Sequence, residues 1–214
     1  ASTDLRFTTD TNAVADVTFS FKVYDGTAYS AAAYVFTITV TAVNDAPSNA
    51  GDTATASEDV AYAGWTAAGD WGYSDVDSDT MISITLKSLP SQGTLTSTNN
   101  ACGGDNTCAI DDVVLLTKLA AGDLTYTGAS NYNGADTFTY TVEDSALSSS
   151  TGTMTMTVSA VNDVPVAGDT SDQTVFEDLA FSFQTAQSTD VDGDSMTMSC
   201  VETGGDMPAF LSET

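Results

Sequence analysis

The chain has 214 residues, and its 30 aspartates and glutamates against 4 lysines and arginines give a formal net charge of −26; histidine is absent. Such a surface cannot neutralise phosphates, which excludes direct binding to nucleic acid or to anionic lipid. Without histidine, the chain lacks the usual general base and the commonest ligand of zinc, copper and iron. Because 42% of the residues are hydrophobic, we nevertheless expect a folded core.

Short runs in which apolar residues alternate with polar ones predict β-strands along the whole chain. This period of two places one face of each strand in a core and the other in water. No long run has helical periodicity, and no stretch approaches the ~18 apolar residues that a membrane-spanning helix needs. The sequence therefore predicts an all-β protein. In chain order, the clearest runs are Phe19-Phe21-Val23, Phe36-Ile38-Val40, Phe138-Tyr140-Val142 and Met154-Met156-Val158.

Two linkers of the form Ala-Val-Asn-Asp-x-Pro, at residues 42–47 and 160–165, indicate an internal repeat with a period of 118 residues. Upstream of the linkers, residues 5–25 are echoed by residues 124–144. Downstream, a Glu-Asp pair and then three alternating aspartates follow each linker. These acidic elements are Glu58-Asp59 with Asp75, Asp77 and Asp79, and Glu177-Asp178 with Asp190, Asp192 and Asp194.

The repeat divides the chain into three parts: the first segment (residues 1–46), the central module (residues 47–164) and the third segment (residues 165–214). The first segment is the C-terminal part of one module and the third segment is the N-terminal part of another, so we expect a piece of a longer protein. Short strands and many turn residues in a module of this size predict tandem Ig-like β-sandwiches. The proline linkers predict a stiff, end-to-end arrangement.

Three cysteines and two tryptophans lie outside these repeated elements. Cys102 and Cys108 bracket a Gly-Gly-Asp-Asn-Thr loop, which predicts a local disulfide and an oxidising compartment; the alternative is two reduced thiols. Cys200 alternates with Met196 and Met198 and is expected to be a small buried hydrophobe. Trp65 and Trp71 are expected to anchor the core, with a sugar-binding platform as the alternative.

The linkers, the acidic elements and the segment from Asn131 to Tyr140 (Asn-Tyr-Asn-Gly-Ala-Asp-Thr-Phe-Thr-Tyr) together resemble the cadherin-like tandem repeats of very large secreted surface proteins and adhesins. The third segment resembles the start of a dystroglycan-type cadherin-like module, with Phe210 where that family usually has tryptophan. The two resemblances cover nearly the whole chain. They imply an extracellular, calcium-rigidified structural or adhesive array without catalytic activity.

Carboxylate clusters beside both linkers predict Ca2+ sites, because Ca2+ takes six to eight oxygen ligands, mostly carboxylates and carbonyls. Any one of these residues alone could instead cap a turn or face water. We call each linker with the loops around it a junction. The predicted ligands at the first junction are Asp25, Asn44, Asp45, Glu58, Asp59, Asp75, Asp77 and Asp79. Those at the second junction are Asp144, Asn162, Asp163, Glu177, Asp178, Asp190, Asp192 and Asp194.

The leading functional hypothesis is a non-catalytic extracellular stalk or filament component, stiffened by Ca2+ between neighbouring modules of one long chain. Lateral self-assembly of copies is compatible with this hypothesis. The alternative is a head module that binds a glycan or a protein through loop aromatics. A secreted glycosidase would need two carboxylates set ~5–10 Å apart across a cleft, and nothing in the sequence marks such a pair outside the acidic clusters.

Overall fold

The computed structural model describes residues 4–104, 106–174, 176, 181–182, 184, 186–199, 201–202 and 205–206. Regular structure in this part of the chain is almost entirely β-strand, as the alternating sequence predicts. The elements are β1 (Val17–Phe21), β2 (Tyr34–Ile38), β3 (Ser48–Asn49), β4 (Asp52–Ser57), a 3-10 turn (Ala68–Trp71), β5 (Tyr73–Ser74), β6 (Ser83–Leu86), β7 (Gly93–Ser97), β8 (Val113–Leu115), α1 (Leu116–Ala120), β9 (Leu124–Gly128), β10 (Gly134–Glu143), β11 (Gly152–Ser159), β12 (Val201–Glu202) and β13 (Gly205–Asp206).

A five-stranded sheet, in the order β4-β11-β10-β6-β8, forms the first layer of the central module. Neighbouring strands are antiparallel except β4 and β11, which run parallel. Alternate residues of β10 and β11 face inward, and Phe138 lies opposite Met154 in the register with both side chains fully buried. The inward face that the alternation predicts for these two strands is therefore confirmed.

The second layer consists of the antiparallel pairs β7–β9 and β3–β5, extended by a bridge between Tyr62 and Tyr126. Aromatic side chains fill the space between the layers. The rings of Trp71 and Tyr140 meet edge-on at a centroid distance of 4.9 Å, and the Tyr140 hydroxyl donates a hydrogen bond to the Trp71 carbonyl at 2.9 Å. This two-layer arrangement is the Ig-like β-sandwich that the sequence predicts.

Trp65 and Trp71 are core residues, as the leading interpretation of the sequence holds. Both indoles are buried, and their ring centroids lie 5.3 Å apart. A sugar-binding platform needs an exposed ring face, and neither tryptophan offers one. The structure therefore gives no support to glycan binding through these two residues.

The first segment contains the predicted strands but not the predicted burial. β1 and β2 pair as an antiparallel hairpin in which Phe19 lies opposite Phe36. Phe21 and Phe36 are 45% and 51% exposed, although the equivalent residues of β10 and β11 are buried. The reason is that no second layer covers this hairpin among the described residues. The hairpin therefore has the apolar face that the alternation predicts, but among the described residues no second sheet packs against that face.

The loop between β7 and β8 contains the predicted disulfide. Cys102 and Cys108 are joined by an S–S bond of 2.06 Å, and both residues are buried. The prediction of a local disulfide is therefore confirmed.

Asp136 of β10 is a buried carboxylate that accepts hydrogen bonds from the Ser91 and Gln92 amides and from the Tyr126 hydroxyl. Because its acceptors are filled, Asp136 serves structure rather than ligand binding.

Some predictions concern residues that lie outside the described part of the chain. Among them are Glu177 and Asp178 of the second junction, and Cys200, for which burial is expected. Within the described part, no helix has the length and hydrophobicity required to cross a membrane.

Candidate metal centres at the two junctions

The direction of β4 places Glu58 at the second junction. β4 runs parallel to β11 with Ser57 opposite Ser159, so the residue after β4 lies beside the linker that follows β11. The Glu58 amide donates to the Ser159 carbonyl at 3.0 Å, and the Val161 amide donates to Glu58 Oε1 at 2.6 Å.

The assignment of Glu58 and Asp59 to the first junction is therefore wrong. Each strand residue advances the chain by ~3.3 Å, so the six residues of β4 carry Glu58 ~20 Å away from the start of the module. Asp59 follows directly and raises the pKa of Asp163, which places it near the second linker.

Three carboxylates converge at the second junction. One ligand oxygen from each of Glu58, Asp163 and Asp192 can be chosen so that all three lie within 4.8 Å of one another. The Asp163 amide donates to Asp192 Oδ2 at 2.6 Å, which holds the linker against the acidic loop. Glu58 is only 1% exposed, yet its Oε2 and the buried Oδ2 of Asp163 have no hydrogen-bond partner. These oxygens are acceptors that a cation would satisfy.

The second junction also carries electrostatic repulsion. Burial raises the pKa of the Asp163 carboxyl above its ordinary value of 3.8, and four neighbouring carboxylates raise it further. Close like charges disfavour one another's ionised form, and a bound divalent cation reverses that effect. The neighbouring carboxylates are Asp59, Asp192, Glu58 and Asp190.

The acidic loop of the third segment is a tight turn built on one aspartate. Asp190 Oδ1 accepts hydrogen bonds from the Asp192 amide at 3.0 Å and the Asp194 amide at 3.1 Å. Gly193 has a φ of 76°, a left-handed conformation that glycine adopts without steric cost. The alternating aspartates therefore form a loop rather than a strand, and the loop directs several carboxylates toward the linker.

The first junction repeats this geometry. Asp75 Oδ1 accepts from the Asp77 amide at 2.8 Å and the Asp79 amide at 3.1 Å, and the Asp45 amide donates to Asp77 Oδ2 at 2.7 Å. The buried Oδ2 of Asp75 has no partner. Asn44 and Asn162 also correspond, because each side-chain amide donates to the carbonyl of the next residue, at 2.9 and 2.7 Å.

Asp144 lies at the first junction, so its predicted place at the second is wrong. It follows β10, which is antiparallel to β11, and the end of β10 therefore lies at the opposite end of the module from the second linker. Its Oδ1 accepts from the Ala146 and Leu147 amides, and its Oδ2 accepts from Asn44 Nδ2 at 3.2 Å. The two backbone donors lower the pKa of Asp144, with a smaller contribution from Asn44.

Asp25 occupies the equivalent turn of the first segment, and its predicted place at the first junction is also wrong. It lies in the connection between β1 and β2, whereas the first linker follows the opposite end of the hairpin. Its Oδ1 accepts hydrogen bonds from the Thr27 and Ala28 amides, which lower the pKa of its carboxyl. Asp25 is thus a turn-capping residue in this structure.

The predicted ligand sets did not include Asn131, which lines a cleft at the second junction together with Asp163 and Asp190. The cleft has a volume of about 370 Å³, which is room for a cation and several waters of ~30 Å³ each. The correspondence between Asn12 and Asn131 in the aligned segments 5–25 and 124–144 was a signal that could have identified this residue.

The donor set at the junctions suits a hard divalent cation. It consists of carboxylate and carbonyl oxygens, which Ca2+ and Mg2+ prefer, without the imidazole that transition metals favour. The unpartnered oxygens of Glu58, Asp163 and Asp75 show that the residues present fit such an ion. At the second junction the residues that could hold the ion are Glu58, Asp59, Asn162, Asp163, Asp190, Asp192 and Asp194; at the first they are Asn44, Asp45, Asp75, Asp77, Asp79 and Asp144.

Comparison with solved structures gives a distant similarity to an enzyme described as "Endo-fucoidan hydrolase MfFcnA4 from glycoside hydrolase family 107". The alignment covers 72% of this chain and 21% of that chain, with 18% sequence identity and a TM-score of 0.33. A similarity at this level carries no inference about function. No curated protein sequence matches the chain.

Comparison with protein families gives a specific result. Residues 44–157, more than half of the chain, match the family described as "Bacterial Ig domain". This range begins at the first junction and covers the central sandwich as far as residue 157, within β11. Domains of this family are typically non-catalytic and typically extracellular or exposed on the cell surface. The chain therefore belongs to the bacterial Ig domain family.

Proposed function

We propose that the chain is part of an extracellular structural or adhesive array of Ig-like modules, in which Ca2+ bound at the junctions stiffens the joints between modules. The observation that carries this proposal is the environment of Glu58. Its carboxylate is buried, one oxygen is fixed by the Val161 amide, and the other is unpartnered beside Asp163 and Asp192. A carboxylate is rarely buried without a partner unless a cation compensates its charge.

Hydrogen-bond patterns support the division into modules at residues 1–46, 47–164 and 165–214. The Ser30 amide donates to the Val23 carbonyl at 2.8 Å, and 119 residues later the Ser149 amide donates to the Val142 carbonyl at 2.9 Å. In the third segment, Val166 bridges Thr189 as Ser48 pairs with Ser74 in the central module. Matching bonds at matching positions favour a repeated fold over a coincidence of sequence.

The proposed mechanism is mechanical. At the second junction, Glu58 belongs to the central module, Asp163 to the linker, and Asp190 and Asp192 to the third segment. An ion that binds all of these carboxylates resists bending of the joint, because bending would lengthen some of its bonds to oxygen. Without the ion, the same carboxylates repel one another and favour an open joint.

A ligand-binding head remains the alternative function, but no described feature favours it. It rests on loop aromatics such as Trp65 and Trp71, and both indoles are core residues. A catalytic role has no support either, because the carboxylates with unpartnered oxygens lie at the junctions rather than across a substrate cleft.

Calcium titration of the full chain tests this proposal. We expect binding by isothermal titration calorimetry with dissociation constants of ~10⁻⁴–10⁻³ M, the range typical of extracellular modules. A ligand at 100 times its dissociation constant adds about 2.7 kcal/mol of stability per site, so thermal unfolding should move to higher temperature in Ca2+.

Small-angle scattering provides the mechanical readout of the same experiment. The profile should be that of a more extended and less variable particle in Ca2+ than in chelator, with magnesium at equal concentration as the matched control. Coincident melting curves and scattering profiles in Ca2+ and in chelator would refute the proposed function.

A further inference from the structure

We propose that Asn131 is an additional ligand of the cation at the second junction, and that it contributes its side-chain carbonyl oxygen. This inference rests on the proposed calcium site and extends it to a loop that no acidic element marks. It changes what the ion connects, because Asn131 lies between β9 and β10, in a different loop of the central module from Glu58.

The position of Asn131 is the first argument. It lies in the loop between β9 and β10 and lines the same cleft as Asp163 and Asp190. Its side chain is exposed and has no hydrogen-bond partner among the described residues. Its carboxamide is therefore available to an ion held by the neighbouring carboxylates. The buried and unpartnered Glu58 Oε2 is an independent sign that this cluster takes a ligand.

The second argument is that the first junction contains an equivalent asparagine. Asn12 and Asn131 both have a φ of 59°, and each is followed by an equivalent turn bond, Ala13 N to Asp10 O at 3.3 Å and Tyr132 N to Ala129 O at 3.1 Å. Asn12 lines a cleft with Asp45 and Asp77, as Asn131 does with Asp163 and Asp190. The same side chain thus faces the same type of acidic cluster at both ends of the module.

The third argument concerns charge. The cluster already brings together three carboxylates from Glu58, Asp163 and Asp192. Another carboxylate would add repulsion in the ion-free state, whereas a carboxamide supplies an oxygen without a charge. Asparagine carbonyls are ordinary Ca2+ ligands that complete a set of six to eight oxygens.

Asn131 gives the ion a role inside the module as well as between modules. Its loop joins β9 of the second layer to β10 of the first, whereas Glu58 follows β4 at the edge of the five-stranded sheet. An ion bound by both residues connects the two layers of the sandwich. Binding should therefore stabilise the central module itself, in addition to fixing its angle to the third segment.

The test compares two glycine substitutions in the full chain. Asn131→Gly removes the oxygen, and glycine accepts the left-handed backbone. Asn100→Gly is the matched control, because Asn100 has a φ of 58° and lies outside the junctions. We expect Asn131→Gly to weaken Ca2+ binding at the second junction about tenfold, the lower end of what loss of a metal-supporting group costs. Asn100→Gly should leave it unchanged, and Asn131→Asp should retain binding.

A measurement on the unaltered chain avoids any dependence on how the variants fold. In a Ca2+ titration followed by NMR, the side-chain NH2 signals of Asn131 should shift in step with the backbone amide of Val161. Unchanged affinity in Asn131→Gly, or NH2 signals that stay still while Val161 shifts, would overturn the inference and leave the proposed function intact. Absence of any Ca2+ binding by the unaltered chain would instead refute the proposed function.

Discussion

Glu58 shows how a single residue can be costly to the fold and useful to a ligand. Its burial would be compensated fully only if both carboxylate oxygens had partners, and the protein supplies a partner for one. The backbone around it leaves little freedom, because β4 pairs with β11 up to Ser57 and the Glu58 amide is itself bonded to Ser159. Because the Val161 amide also bonds to Oε1 and the side chain is buried, the unpartnered Oε2 is held in place rather than free to turn toward water.

Replacement of Glu58 by glutamine should have opposite effects with and without Ca2+. In chelator, Glu58→Gln removes one of several repelling charges, and its new NH2 group can donate to the unpartnered Asp163 oxygen, so we expect a higher melting temperature. In Ca2+, loss of a ligand should reduce the calcium-dependent rise in melting temperature. Thermal unfolding followed by circular dichroism checks both.

Asp111→Asn is the matched control for this prediction, because Asp111 is a 73% exposed carboxylate paired with Lys87. Exposed ion pairs contribute little to stability, so this variant should behave like the unaltered chain in both conditions. A lower melting temperature for Glu58→Gln in chelator would contradict the repulsion that we assign to this cluster.

At the scale of elements, the sequence was sufficient to predict strands and their faces but not the end of the module at which each loop lies. The alternation at Phe138 and Met154 reports burial directly, because side-chain direction alternates along any strand. Whether Glu58 meets the first or the second linker depends on the parallel pairing of β4 with β11, which is a long-range contact. No local pattern encodes that contact, and the sequence therefore predicts the wrong junction for Glu58. The prediction for Asp144 fails for a related reason, because its end of the module is set by the antiparallel pairing of β10 with β11.

The disulfide loop offers a prediction at the same scale. Cys102 and Cys108 close a ring of about seven residues, and chain-entropy arithmetic for such a ring gives about 2.4 kcal/mol of stabilisation. A Cys102→Ser/Cys108→Ser double variant should lose approximately this amount in urea unfolding.

The calcium-dependent change in stability should be the same in this variant and in the unaltered chain. The amides of the two cysteines bond to Ser97 and Leu95, not to any residue of the junctions. If the calcium-dependent change in stability were lost in this variant, the disulfide loop would be energetically coupled to the acidic clusters.

At the scale of the whole molecule, the net charge of −26 is placed partly where cations are expected. At the second junction Glu58, Asp163 and Asp192 bring their carboxylates together, and burial and the neighbouring carboxylates both raise the pKa of Asp163. Other carboxylates are stabilised in their charged form. Asp123, for example, accepts hydrogen bonds from the Asn99 and Thr98 side chains, and these bonds together with the Lys118 charge lower its pKa.

These opposite shifts predict a pH dependence of stability whose direction depends on Ca2+. Asp163 has a raised pKa in the folded state, so the folded state binds more protons than the unfolded state between its ordinary value of 3.8 and the raised value. In chelator, stability should therefore rise as the pH falls into that window. At still lower pH it should fall, because Asp123 and Asp144 have lowered pKa values and lose their favourable charged interactions on protonation.

In saturating Ca2+ we expect stability to fall, rather than rise, as the pH decreases into this window. The reason is that protons compete with the ion for the same carboxylates. Melting temperature should then decrease steadily from neutral pH downward, and the curves measured in Ca2+ and in chelator should converge in acid where the ion is displaced. Differential scanning calorimetry across a pH series, at constant ionic strength, measures both curves. Parallel curves would mean that the carboxylates that titrate are not those that bind the ion, and would contradict a cation site built around Asp163.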